Sequence, residues 1–504
     1  MLRHGEVVWT GWTFGEDAHL VDEVRHELPP THLQDLDGLP RRLESSPPPH
    51  LVARGPVPVH QNASSLPDDE IGKLILAHWD REHEAPGGFE MSERYDLAVV
   101  GAGPGGAATA YYASKAGLQT LLLDRQEFPR DKPCGDGLMP HAASEVALIG
   151  LGDWLDEPHH GRFTSFSMYT DTAYLRQGVP PTLHGPVGYV AAREETDAKI
   201  LERAVGAGAD LHANTRATDL RRSSSGAVTS VEATRDGETL RFDAPLVVAA
   251  DGVGGFAGSG MKAHQNAVAR RQYFRGLEGL DRASLHVFIT ADMNSDGAGY
   301  GWVFCFGDGR ANVGAGVSTR ALGRTGRNLK DYFDRFLEEP QIAACLQNAE
   351  PEGPAKSWSL KMGMWGAKRY AQGLMMVGDA GSMVHPISGE GVGYAMESGR
   401  LAASWAHEAH DRDDFSVSLL SGYERQLRKK RAREHVSGHA MVNLVPNLRM
   451  MEPLFKACEK DENARRTLIE SFTGDAPIYS LPKHPRALAS ALRIAVNERR
   501  NSSG

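Results

Sequence analysis

This 504-residue chain has little cysteine, and what it has is scattered: Cys134, Cys305, Cys345 and Cys458. Four such residues supply neither a disulfide framework nor a zinc knuckle. No apolar run approaches the roughly 18 to 20 residues of a membrane span, and the N-terminus has no signal-peptide pattern. Together these point to a reducing, cytoplasmic setting with at most peripheral membrane contact. An excess of cations is also missing. The formal charge is −10, which argues against nucleic acid as a partner. No internal repeat stands out. The rest is ordinary for a soluble globular protein, 41% hydrophobic and 24% charged, with length for two or three domains.

The negative charge is uneven. Residues 1–90 carry 16 Asp/Glu against 7 Lys/Arg, leaving the remainder near neutral. This acidic extension, residues 1–93, includes Pro47-Pro48-Pro49 and reads as partly irregular. Within it Ser65, with Asp68 three residues on, resembles a helix cap, and Ile71, Leu74, Ile75 and Trp79 fall on one helical face.

Against those absences stands a concentrated signal at residues 95–124. Leu97–Val100 is a short apolar run suited to a parallel strand buried on both faces. Gly101, Gly103 and Gly106 follow with the spacing G-x-G-x-x-G, and an Ala-rich helix is expected over Ala107–Ala116. Glycine at such a turn lets a pyrophosphate approach the backbone amides at a helix N-terminus. A second apolar strand, Thr120–Leu123, ends in Asp124, placed to accept ribose hydroxyls. Strand, turn, helix, strand and acid together predict a bound dinucleotide.

Two further buried strands end in similar loops, Leu246–Ala250 in Asp251-Gly252 and Leu374–Val377 in Gly378-Asp379. In an open parallel sheet ligands bind at the carboxyl ends of strands, so the three loops converge on one crevice. Between them lie a helix over Arg193–Gly208, a β-rich piece over Arg216–Asp243 and a Gly-rich alternating stretch over 265–320 that reads as an antiparallel sheet. From about residue 415 the chain reads as helical. It carries the basic run Arg425–Arg433 and a last helix over Arg486–Arg500. Both are read as solvated faces, with an acidic partner or lipid headgroups as the alternative.

At this point the chain resembles the FAD-dependent geranylgeranyl reductase family, within the p-hydroxybenzoate-hydroxylase-like flavoproteins. The resemblance covers about residues 94–430. It rests on Asp131-Lys132-Pro133-Cys134-Gly135-Asp136-Gly137, on Gly378 through Gly391, and on Tyr300-Gly301-Trp302-Val303-Phe304 followed by Gly307 through Gly314. It implies an α/β fold: a Rossmann-like FAD-binding domain with a parallel sheet, an inserted antiparallel substrate sheet and a helical C-terminal region. The expected division is 94–190 and 191–260 for FAD, 261–365 for the substrate sheet, 366–412 closing the FAD domain, and 413–504 helical.

The resemblance also implies FAD held by Gly101, Gly103, Gly106, Asp124 and Asp379, with Gly389, Glu390 and Gly391 near the flavin pyrimidine edge. Arg125, Cys134, Gly135, Arg193, Asp251 and Gly378 complete the candidate cofactor set. A Gly-Glu-Gly turn opening a helix over Val392–Ala403 offers free amides and a positive dipole end to a reduced flavin. Cys134 lies beside the flavin in this family, as a proton donor or positioning group. Its alternative is a small loop residue without chemistry. Tyr300 and Trp302 are candidate walls for a hydrocarbon substrate, or else plain core aromatics. His385 is a loop residue at the flavin's edge or a proton relay.

Two departures from the family pattern bear on substrate shape. Cys305 replaces the usual proline, which places a second thiol on the expected substrate wall, and Gly255 replaces a serine. The implied reaction is reduction of carbon–carbon double bonds in a prenyl-type or other hydrophobic substrate. A monooxygenase acting on a natural-product intermediate is the alternative, although Gly381 and Glu390 stand where those enzymes typically carry other residues. A halogenase is disfavoured, since no Lys occurs between Lys132 and Lys199. A binding protein with a redox-silent flavin is a third reading. One dinucleotide fingerprint implies that NAD(P)H visits transiently or that reduced ferredoxin, an electron-donor protein, delivers electrons.

Overall fold

The computed structural model describes residues 93–180, 185–254, 266–290, 293, 299–364, 368–444, 451–474 and 478–501, with two short N-terminal strands. Those strands, Leu2–Arg3 and Glu6–Val7, pair antiparallel within a unit that comprises Met1–Ser92. The expected helix beginning at Ser65 lies outside the described residues, as does Gly255.

In the second unit, Glu93–Gly504, the FAD-type sheet has six strands. Their order is Asp210–His212, Thr120–Leu123, Leu97–Val100, Leu246–Ala249, Leu374–Met376 and Tyr370–Ala371, all parallel except the last pair. The four central strands are almost wholly apolar because the sheet is covered on both faces. Leu97 and Val99 pack with Tyr112, Ala113 and Met396 on one face. Ala98 and Val100 pack with Val231, Phe242 and Met376 on the other. The first face is covered by helices Pro104–Lys115 and Val392–Asp411, the second by the meander Arg216–Arg222, Val228–Arg235 and Glu238–Asp243. The first helix begins at Pro104 rather than Ala107, because proline's fixed φ and missing N–H suit a helix's first turn.

A seven-stranded sheet forms the second layer. Its order is Glu350–Leu360, Ala267–Arg275, Arg310–Ser318, Gly299–Cys305, Ser284–Phe288, Ser165–Tyr169 and Tyr174–Gly178. It is antiparallel but for the pair Ser284–Phe288 and Ser165–Tyr169. Two strands from the 94–190 segment therefore join the sheet expected over 261–365. Period-two alternation divides Gly299–Cys305 between two cores. Trp302 and Phe304 join Met168, Leu285 and Phe472, whereas Val303 and Cys305 join Phe288, Phe333 and Phe336.

The tail is helical as expected, over Val417–Leu444, Met451–Glu459, Glu462–Thr473 and Pro485–Asn501. Among the described residues no helix is long and apolar enough to cross a membrane.

Candidate active site

The glycine turn between Val100 and Pro104 divides its work among three residues. Gly101 sits at φ +100°, and a Cβ there would come within 2.5 Å of the Ala250 carbonyl oxygen. A Cβ on Gly106 would lie 1.7 Å from the Gly101 oxygen, so this position sets how closely helix and strand pack. A Cβ on Gly103 would meet only Arg130 Nη2, at 3.5 Å, so the middle of the turn faces open space. Gly103 caps the helix without a side-chain hydrogen bond, which leaves first-turn amides for an anion. Tight turn, open middle and close packing are what a pyrophosphate cradle requires. The residues present fit FAD.

A cleft of about 280 Å³ extends from this cradle past Asp124, Arg125, Asp251 and Gly378. Asp124 is buried, and its carboxylate accepts the N–H of Ala102 at 2.7 Å and of Gln126 at 2.9 Å. Those bonds fix its orientation and leave lone pairs free for ribose hydroxyls. A second cavity, of about 310 Å³, is lined by Cys134, Tyr300, Trp302, Phe304 and the Gly389–Gly391 turn. The two share Pro104, Lys132, Trp358, Asp379 and Ala395. At that junction Lys132 Nζ pairs with Asp379 Oδ2 at 3.2 Å.

The Cys134 loop is held from the seven-stranded sheet. Asn312 Nδ2 donates to the Cys134 carbonyl at 2.7 Å and to Asp136 Oδ2 at 2.6 Å, and Trp302 Nε1 donates to Asn312 Oδ1 at 2.9 Å. Asp136 is buried at φ 64°. It also accepts the Tyr273 hydroxyl at 2.7 Å and the Arg193 backbone N–H at 3.1 Å. Burial raises its carboxyl above the usual range, while Tyr273, Arg271 and Asn312 pull it back. Sequence reasoning did not single out Asp136, Asn312, Arg271 or Tyr273. The first two lie within the family-like segments, but only the fold shows that they meet.

Burial likewise pushes the Cys134 thiol up, opposed by the Arg193 guanidinium beside it and reinforced by Asp136. Arg193 is itself gripped by Asp197, with both bonds at 2.7 Å. Gly135 leaves room for the wall, since a Cβ there would sit 3.0 Å from Phe304 and 3.3 Å from Trp302. Tyr300 donates to the Ser388 carbonyl, and a Cβ on Gly389 would lie 3.3 Å from its hydroxyl. Glu390 is buried with its Oε1 accepting the Gly393 N–H at 2.7 Å, and burial pushes its carboxyl up to about 7.

Cys305 does not join this group. It faces the opposite side of the strand, among Phe288, Phe333 and Phe336, because it is offset by an odd number of positions from Trp302 and Phe304. The expected thiol on the substrate wall is therefore corrected to a core cysteine. His385 is also away from the cavity lining. Its Nδ1 takes the Ser388 N–H at 3.2 Å, its ring stacks on Tyr394, and burial lowers its pKa to about 3. Those contacts make it part of the turn Ser388–Gly391.

Comparison with known proteins agrees with this geometry. An FAD binding domain model matches residues 94–308. The menaquinone reductase of Mycolicibacterium smegmatis is 34% identical over 329 residues, covering 62% of this chain and 76% of the relative. The digeranylgeranylglycerophospholipid reductase of Thermoplasma acidophilum is 29% identical over 356 residues, covering 68% and 86%. A geranylgeranyl bacteriochlorophyll reductase-like structure from Thermoplasma acidophilum superposes with a TM-score of 0.64 at 25% identity, over 81% of this chain and 99% of that one. A flavin-dependent brominase, at 16% identity and a TM-score of 0.61, shares the fold alone. With its dinucleotide cradle and apolar chamber joined end to end, the chain belongs to the geranylgeranyl reductase family of FAD-dependent oxidoreductases.

Proposed function

We propose that this chain reduces an isolated carbon–carbon double bond in a long apolar substrate of prenyl type, with Cys134 as the proton donor. The carrying observation is the chamber next to the nucleotide cleft, whose lining includes Met139, Met168, Ile289, Trp302, Phe304 and Phe472 around a single thiol loop. Such a lining suits a hydrocarbon chain and excludes water from it. The names of the relatives, a menaquinone and a digeranylgeranyl lipid, are of that chemistry. Bound FAD, reduced by NAD(P)H or ferredoxin, supplies the hydride.

The chain's own residues supply the rest. Burial keeps the Cys134 thiol protonated at neutral pH, as a general acid requires. The Arg193 guanidinium beside it stabilises the thiolate left when the proton goes to the second alkene carbon. Asn312 fixes the Cys134 carbonyl and, through Asp136, the loop that follows the thiol, and Trp302 and Phe304 confine the substrate against it. Hydride and proton together add two hydrogens to the double bond.

The test is turnover of a polyprenyl lipid without oxygen, with a chemical reductant and product mass as readout. A gain of two hydrogens is expected. Turnover only with O₂, with gain of an oxygen atom, overturns the proposal in favour of a monooxygenase. Cys134→Ala is expected to retain flavin and lose about a hundredfold or more in kcat. Unchanged kcat in that variant would remove Cys134 as the acid.

A further inference from the structure

We propose that His159, His160 and Glu195 bind one divalent transition-metal ion of the zinc type, at a site separate from the flavin and substrate cavities. The three residues come from two segments. His159 and His160 follow the short helix Gly152–Leu155, and Glu195 lies in the first turn of the helix Arg193–Gly206. One ligand atom from each lies within 4.8 Å of the others. His159 Nε2 is 3.1 Å from Glu195 Oε1 and 3.0 Å from Oε2, and His160 Nε2 is 3.6 Å from Oε1. Tetrahedral coordination with bonds of about 2.0–2.2 Å places ligand atoms roughly 3.3–3.5 Å apart, which these separations bracket.

The hydrogen bonding of His160 makes the second argument. Its Nδ1 lies 3.2 Å from the Leu155 carbonyl oxygen, which can only accept, so Nδ1 carries the hydrogen. Nε2 then presents a lone pair toward the Glu195 carboxylate. That nitrogen is buried without a hydrogen-bond partner, on a residue only 5% exposed. Two lone pairs facing each other repel unless a cation stands between them.

The outer contacts are those of a ligating set. Leu155 fixes the His160 tautomer, and Trp154 Nε1 donates to Glu195 Oε1 at 2.9 Å, orienting the carboxylate. The His159 and Glu195 side chains are about one-third exposed, which leaves a path for the ion and room for water as a further ligand. A second cluster, His141, Glu145 and Glu397, differs in holding its own cations. Arg431 and Lys430 pair with Glu397, and Arg400 pairs with Glu145. It has no need of a metal ion.

The experiment uses the full-length, FAD-loaded protein after chelator treatment, titrated with Zn²⁺ by calorimetry and with Co²⁺ by visible absorption. One ion per chain and the intense visible bands of four-coordinate Co²⁺ are expected. His159→Ala and Glu195→Gln, both at partly exposed positions, should each weaken binding at least tenfold with flavin content unchanged. Trp154→Phe should weaken it by about 10–100-fold, as the loss of a bond that orients a ligand does. His141→Gln should leave it as it was. Absence of binding at micromolar Zn²⁺, or equal binding by a variant combining His159→Ala with His160→Gln, overturns the proposal.

Discussion

At the scale of single residues, the site depends on buried groups whose protonation the fold controls. Glu390 has an ordinary value near 4.5, which burial pushes up to about 7. The folded chain therefore holds this proton more tightly than the unfolded one. Its contribution to stability is full below about pH 4.5 and is lost as pH rises through about 7. Glu390→Gln keeps an oxygen for the Gly393 N–H and removes the ionisation. The variant should exceed the parent by up to about 3 kcal/mol at pH 8 and match it near pH 4, in urea unfolding of the flavin-free protein. A pH slope unchanged by the substitution would refute this assignment. Asp136→Asn tests the other carboxyl. One oxygen accepts from Tyr273 and Asn312 and the other faces the Arg193 N–H, so the new NH₂ group meets a donor in either orientation. A loss of about 1–3 kcal/mol is expected in the same assay.

At the scale of elements, close approaches decide tolerance. Gly106→Ala must push the helix Pro104–Lys115 off its strand, because the new Cβ would stand 1.7 Å from the Gly101 oxygen. Loss of about 3 kcal/mol and of most bound flavin is expected. Gly323→Ala is the control, in a helix with nothing within 4 Å of its Cβ, and should be neutral or stabilising in thermal melts. The buried network on the helix Val417–Leu444 gives a further case. Arg431→Met leaves Glu397, buried and bonded to Arg431 Nε at 2.6 Å, short of its main partner. A cost of about 3–5 kcal/mol is expected from denaturant titration. That run of bases was read as a solvated face. Lys429 and Arg433 are exposed, but Arg431 turns inward, and helical spacing alone does not reveal a carboxylate on a neighbouring helix. The nucleotide-binding elements were legible because strand, glycine turn and acid are local in sequence. The orientation of Gly299–Cys305 was not. Both its faces are apolar, so alternation reveals two sides without saying which meets the cavity. Asp136 and Asn312, 176 positions apart, carry no mutual signal in a single sequence.

At the scale of the whole molecule, the C-terminal helices are part of the chamber rather than an accessory to it. Phe455, Cys458, Leu468, Ile469 and Phe472 share one core with Phe166, Leu175 and Leu285 of the seven-stranded sheet. A chain ending at Leu444 should therefore expose that core and aggregate, as measured by light scattering of the purified product. A monodisperse truncated protein that keeps its flavin would show the helices to be a removable cover. The division of Gly299–Cys305 between two cores has a practical corollary for engineering. Randomising positions 300, 302 and 304 would remodel the cavity, while positions 301, 303 and 305 pack toward Phe333 and Phe336 on the other side. Substrate preference could then be redrawn on one side of a strand, with the scaffold left untouched on the other.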